Sequence, residues 1–308
     1  MATFLLKRVF LALFVIVAVT LLVSYTIRLS GDPATMLMTG GQANFTAQDL
    51  ERIRASLGID RPFLVQYALY MKDVLHGNFG TTFFGRQPVN ELLGRALPAT
   101  LLLALTSLAG SLLISIPLGI YAAVHRGSLI DQAIRFFSLV GLSFPNFWLA
   151  IILVLMFSVT LHLLPPSGFF TAAGLVLPAV TLALILSAIN VRLVRAVMLE
   201  TLSMQYIAVA RSKGLRESVV LYKHALRNGM IPLLTYVGLQ FGDLLGGTVI
   251  IEQVFNWPGM GSLAFEAISA RDYPILQGVI TVFSVLIVVV NLLIDIAYGL
   301  VDPRVRVE

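Results

Sequence analysis

The strongest constraint on this chain is where charge is missing. Residues 9–27, 96–124, 136–161, 163–191 and 273–294 contain no Asp, Glu, Lys or Arg, and 229–251 contain only Asp243. A helix crossing a hydrocarbon core needs about 20 such residues. In lipid, every backbone amide must be satisfied within the protein, which leaves helices as the solution for unbroken apolar runs. The pattern therefore predicts an all-α membrane protein with six transmembrane helices. Composition agrees, since only 12% of residues are charged and 58% are hydrophobic, whereas soluble domains carry about 25% charged residues. An ordinary water-soluble enzyme is excluded. Zero cysteines remove disulfides, thiolate metal sites and cysteine nucleophiles together. The first run follows Lys7 and Arg8 and is longer than a signal-peptide core, so it reads as a retained anchor.

Orientation follows from lysine and arginine in the short loops. Thirteen of the 21 lie on one side: Lys7 and Arg8, Arg126 and Arg135, seven between 192 and 228, then Arg304 and Arg306. The opposite short loop, 252–274, holds Arg271 alone. Both termini are therefore expected in the cytoplasm, and the 28–95 segment and the 252–274 loop outside. The organisation expected is a cytoplasmic N-terminus with first span (1–30), an extracytoplasmic helical insert (31–95), a five-helix core (96–298) and a cytoplasmic tail (299–308).

Two polar pieces carry the remaining signal. In the insert, Thr46 precedes Asp49 as a helix N-cap precedes its third-position acid, and Gly58 marks a stop. A second helix is predicted over Phe63–Leu75 after Pro62, its aromatics suited to a headgroup surface or to packing as a lid on the spans. The cytoplasmic loop 192–228 has seven basic residues against Glu200 and Glu217. Leu202, Tyr206 and Val209 share one face of a short amphipathic helix ended by Gly214. Such a helix lies on lipid, caps a bundle or enters a partner's groove.

Catalytic motifs are missing: the sequence has no G-x-x-x-x-G-K-[ST] phosphate loop, no H-E-x-x-H and no G-x-S-x-G, and its four histidines lie apart. Only Asp243 lies well inside a span, unlike the several ionisable groups of proton-driven carriers. An importer of this kind needs an external engine.

Tyr206-Ile-Ala-Val-Ala-Arg-Ser-Lys-Gly-Leu215, His224-Ala-Leu-Arg-Asn228 and Ile231-Pro232 strongly resemble the cytoplasmic signature of ABC-importer permeases of the dipeptide, oligopeptide and nickel branch. The resemblance runs through Gly31-Asp32-Pro33, Leu57-Gly-Ile-Asp-Arg-Pro62, Gln66-Tyr67, Gly80, Arg86-Gln-Pro-Val89 and Leu97-Pro-Ala-Thr-Leu101. It continues through Gly246-Gly247, Glu252, Phe255-Asn-Trp-Pro-Gly-Met-Gly261, Arg271-Asp-Tyr-Pro274, Asn291, Asp295, Tyr298 and Asp302-Pro-Arg304. The acid that opens the generic signature is absent, since Ala208-Val209-Ala210 precede Gly214 without it; this bears on a salt bridge to the ATPase rather than on docking.

The resemblance implies a type I ABC-importer permease fold and a division of labour. This chain and a second homologous permease would form the pathway, two cytoplasmic ABC ATPase subunits or domains would bind ATP and Mg, and an extracytoplasmic binding protein would deliver the ligand. No cofactor is expected on this chain, and no nucleic acid. Tyr206, Ala208, Ala210, Lys213, Gly214 and Leu215 would form the ATPase-coupling element. The expected cargo is a small peptide; the alternatives are nickel, a metal-chelator complex or glutathione, and, from another class, a proton-coupled carrier. Ser143, Asn146, Gln240 and Asp243 are candidates for the pathway, each with a competing structural role in helix packing. Phe255, Trp257 and Gly259 would form a loop at the external mouth or anchor at the interface. Pro117, Pro145, Pro178 and Pro232 should kink the spans, and Asn291 and Asp295 should tie the last span to its neighbours.

Overall fold

A computed structural model describes residues 2–29, 31–35, 46–168 and 171–301. Among these, every regular element is helical apart from one isolated antiparallel bridge between Thr81 and Pro88. The side chains of Lys7, Arg8, Asp295 and Tyr298, and everything from Asp302 onward, lie outside the described part.

The helices are α1 (Ala2–Leu29), α2 (Ala47–Leu57), α3 (Phe63–Leu75), α4 (Val89–Val124), α5 (Leu129–Ser143), α6 (Asn146–Leu153), α7 (Ala172–Leu202), α8 (Gln205–Ser212), α9 (Arg227–Val254), α10 (Met260–Ala270) and α11 (Tyr273–Val301). Two π-helical segments, Val154–Thr160 and Val220–Leu226, extend α6 and lead into α9. Among the described residues four helices are long and apolar enough to span a membrane singly, and counting each of two bent pairs as one span gives up to six. One bent pair is Leu129–Ser143 with Asn146–Thr160, turned by 103° at Pro145; the other breaks α9 by 49° beyond Gly246. The kink expected at Pro145 is thus a full corner. Proline lacks the amide that would continue the ladder, and the residue before it is pushed to extended backbone, as Phe144 is at φ −87°, ψ 136°. Across this corner the Phe144 and Trp148 rings stack at 4.4 Å.

The chain divides into two compact units. The first comprises Met1–Thr100 and Pro258–Val289. Here α2 begins with the expected capping box, Thr46 and Asp49 bonding each other's backbone amides, and ends at Gly58 with φ 67°. Helix α3 covers Phe63–Leu75 as predicted. The insert is clamped to the first and last spans by polar contacts. Arg28 donates to Gln66 Oε1 at 3.0 and 2.8 Å, bonds the Ser24 carbonyl, and lies over the rings of Phe63 and Tyr273. Thr20 meets Tyr67 at 2.8 Å, Tyr70 meets Thr281 at 2.8 Å, and Gln277 donates to Ser24 at 2.6 Å. Asp32 and Arg54 pair at 2.6 Å. Beneath them Val89, Leu93, Met260, Ala267 and Val279 form the apolar core. Helix α3 therefore packs through Tyr67 and Tyr70 on the spans, as a lid does, while Leu64 and Leu75 remain exposed.

The second unit comprises Leu101–Trp257 and Val290–Val307. Helices α4 and α7 approach closely at Gly119, where any Cβ would meet Val194 at 2.6 Å. Small residues at helix contacts are the usual means of association where lipid offers no hydrophobic drive. Polar atoms bridge the same pair, Asn190 donating to Ser111 at 2.9 Å. Ile120, Val194, Met198, Ile207 and Val220 form the core beneath the 192–228 loop.

Candidate coupling and transport site

Helix α8 has only eight residues, and Met204 at its N-cap makes no side-chain cap bond. Isolated helices shorter than about 12 residues are marginal in water, so tertiary contacts must hold it. Ile207 and Ala210 supply them, buried in the same core as Met198 and Val220; one fully buried Ile contributes roughly 1.5–3 kcal/mol. Of the residues read onto one face of this helix, Leu202 ends the preceding helix instead, while Tyr206 (39%) and Val209 (52%) are exposed, as a face left for lipid or a partner would be. The break at Ser203–Met204 resets the helical phase, which periodicity counted across it cannot register.

Beyond α8 the chain turns at Gly214, φ 73°, with nothing within 4 Å of a Cβ built there. Of the expected coupling residues, Tyr206, Ala208, Lys213, Gly214 and Leu215 are exposed and Ala210 is turned to the core. Arg211 closes the loop on Glu217, with bonds of 3.2 and 2.6 Å. That guanidinium holds the Glu217 carboxyl below its usual range, and Glu217 in turn raises Arg211. The π-helical turn Val220–Leu226 follows at once, its Val220 and Ala225 buried with Ile207.

Nearby, Asp131 is held almost without solvent contact. It accepts a bidentate bond from Arg195 at 2.6 and 2.7 Å and the Gly127 amide at 2.9 Å, with Arg135 at 3.7 Å. Sequence reasoning missed this pair; the available signal was Ser128-x-x-Asp131, a helix-start pattern within a basic loop.

The pathway candidates differ in burial. Ser143 is exposed and bonds its own helix at Leu139, and Asn146 is half-buried at the start of α6. Gln240 is 3% exposed, with neither amide atom bonded, whereas Asp243, one turn on, is exposed. Phe255 and Trp257 are buried at 1%, and Gly259 is buried as well. Buried rings of this kind pack within protein rather than serve as lipid anchors. Asn291 is exposed in the isolated chain.

A second unforeseen element is Asp272, which accepts the amides of Phe83 and Phe84 at 2.9 and 3.4 Å and so fastens the loop preceding α4. Burial pushes its carboxyl up, while those amides oppose the shift. Thus Arg86–Val89 and Arg271–Pro274, far apart in sequence, belong to one knot.

Residues 115–307 match the family described as binding-protein-dependent transport system inner membrane component, and residues 1–104 match its N-terminal family. The chain belongs to that family. The glutathione transport system permease protein GsiC of Salmonella choleraesuis is 38% identical over 307 residues, covering 99% of each chain. The oligopeptide transport system permease protein AppB of Bacillus subtilis is 37% identical, covering 99% of this chain and 100% of its own. In structure, the fold matches an inward-facing MetNI methionine ABC transporter chain at a TM-score of 0.58 and 18% identity, over 68% of this chain and 96% of that one. This binding-protein-dependent component is therefore a type I ABC-importer permease. It is a multi-pass inner-membrane subunit that works with an ATPase and a binding protein, and is not itself an enzyme.

Proposed function

We propose that this permease carries small peptides, glutathione among them, and that α8 is the coupling helix through which an ATPase drives it. The observation carrying the coupling assignment is the division of that helix into Ile207 and Ala210 inside and Tyr206 and Val209 outside. A lever needs both a fixed side and a free side. Closure of the ATPase on ATP and Mg would pull Tyr206, Ala208, Lys213, Gly214 and Leu215, with Ala210 passing the displacement into the core. The two states differ by rigid-body movement, each favoured by its own contacts.

The full assembly in this reading has this chain, a second homologous permease, two ATPase subunits or domains, and one extracytoplasmic binding protein. Both termini and the 192–228 loop face the cytoplasm, supported by the thirteen basic residues counted on that side. The insert 31–95 then faces outward, and so does the loop of Phe255, Trp257 and Gly259. Ser143, Asn146, Gln240 and Asp243 line or border the pathway. An acid exposed on the chain's surface within an apolar helix must meet water or a partner rather than lipid, which favours Asp243 facing the pathway or the second permease. Peptide cargo is supported by the relatives named for oligopeptide and glutathione transport.

The test is uptake by proteoliposomes holding the complete transporter and its binding protein. Labelled di- and oligopeptides should accumulate with ATP, and glutathione should compete. Uptake that persists on a proton gradient with an inactive ATPase overturns the reading.

A further inference from the structure

The first turns of α5 and the last turns of α7 enclose a hollow of about 440 Å³, lined by Gln132, Arg135, Phe136, Leu139, Arg192 and Arg195. Three guanidinium groups line it, and they are unequally engaged. Arg195 is locked on Asp131 in bidentate fashion, and the Gly127 amide is a third donor to that carboxylate. Arg135 reaches the same carboxylate only at 3.7 Å, and half of its side chain is exposed. Arg192 makes no hydrogen bond or ion pair among the described residues. Three cations thus line a hollow beside one carboxylate, leaving an excess of positive charge next to apolar spans, where unpaired charge is costly.

The planar guanidinium fork matches phosphate oxygens. Arg192 and Arg195 are three residues apart on one helical face, and Arg135 opposes them from α5. Further along α5, away from its first turn, Phe136 and Leu139 are exposed, so one end of the hollow is cationic and the other apolar. That is the pattern of an anionic headgroup with its acyl chains, and basic pockets between spans on the cytoplasmic side bind such headgroups. We propose that this hollow holds the phosphate of an anionic phospholipid of the cytoplasmic leaflet. Arg135 and Arg192 take the phosphate oxygens, Gln132 donates its amide, and the chains run over Phe136 and Leu139. Arg195 serves by holding the Asp131 carboxylate away from the phosphate. The lipid thereby bridges α5 to the helix that leads into the coupling loop. The proposal rests on the orientation given above.

The experiment uses the complete transporter, exchanged into nanodiscs of phosphatidylcholine with a minor share of phosphatidylglycerol, with retained phosphatidylglycerol counted by native mass spectrometry. The wild type should retain it. Arg135→Gln/Arg192→Gln should lower retention roughly thirtyfold, two basic residues' worth of attraction. The single Arg192→Gln, at an exposed residue without a partner, gives a smaller fall and serves if the double variant does not assemble. Arg126→Gln removes the same charge from the same side outside the hollow and should retain lipid as the wild type does. Unchanged retention in both Arg192 variants overturns the proposal. So does displacement by inorganic phosphate as effective as that by phosphatidylglycerol, which assigns the site to a free anion, and so does loss of the ATPase with lipid retained, which assigns these arginines to the motor. Because the chain has no cysteine, Arg126→Cys with a membrane-impermeant thiol reagent reports the orientation separately; labelling from outside would refute the topology without touching the lipid count.

Discussion

Helices α2 and α8 are both short and both lie in polar stretches, yet they are held in opposite ways. Helix α2 closes on itself, with a reciprocal cap at Thr46 and Asp49 and a left-handed stop at Gly58, and the insert around it is tied down by Arg28, Gln66, Tyr67 and Tyr70. Helix α8 has no side-chain cap, rests on Ile207 and Ala210, and leaves Tyr206 and Val209 uncovered. Helix α2 has both its ends satisfied within this chain. Helix α8 is covered on its inner side only, which is how an element looks when part of its stabilisation comes from a partner.

The contrast can be broken hardest at the support of the loop. Arg195→Ala leaves the Asp131 carboxylate buried without its main partner, and removing one member of a buried pair costs about 3–5 kcal/mol. Thermal unfolding of the purified transporter should show a large loss, whereas Arg211→Ala, in an exposed pair, should cost less than about 1 kcal/mol. Equal effects would mean that the two pairs are not differently placed.

Next comes the turn after α8. Gly214→Ala forces a side chain into φ 73° without a clash, at a cost of roughly 1–2 kcal/mol. The permease should still reach the membrane while ATP-dependent uptake falls about tenfold. Gly214→Asn, tolerant of that conformation, should retain more uptake than Gly214→Ala, and Gly214→Asp, which adds charge to the face, less than Gly214→Asn. Uptake equal to wild type in all three removes the coupling assignment.

Breaking the cap of α2 is a milder perturbation. Thr46→Ala should destabilise the insert by about 1 kcal/mol, read as faster amide exchange over Ala47–Leu57, with uptake nearly unchanged. The smallest effect is that of pH. Glu217 has its carboxyl held down by Arg211, so the loop's ion pair is present at neutral pH and is lost as pH falls below the ordinary carboxylate range. Exchange protection over 205–217 should decline there, modestly because the pair is exposed, and Glu217→Gln should abolish that dependence.

What sequence conveys follows the same divide. The spans, α2 and α3 were readable because their signals are local: missing charge, a cap, a stop, Pro62. The corner at Pro145 was readable as a kink, but its 103° depends on packing. Leu202 was grouped with Tyr206 and Val209 on one helix because the phase reset at Ser203 and Met204 leaves no sequence period to read. The π-helical turns leave no period to read over seven residues. The partners of Asp131 and Asp272 come from 64 and 189 residues away, beyond any spacing rule. Gln240 and Asp243 looked like a pair from their separation, yet one is buried and the other exposed.

The corner in the third span also carries its own lamp. The chain has two tryptophans; Trp257 is enclosed in protein, whereas Trp148 is partly exposed and rests flat on Phe144 across the Pro145 break. With Trp257→Phe as background, the indole emission of Trp148 belongs to one place. Any opening or closing of the 103° angle during the ATP cycle must slide that ring on its neighbour, so an unlabelled transporter can be watched by its own fluorescence while it works.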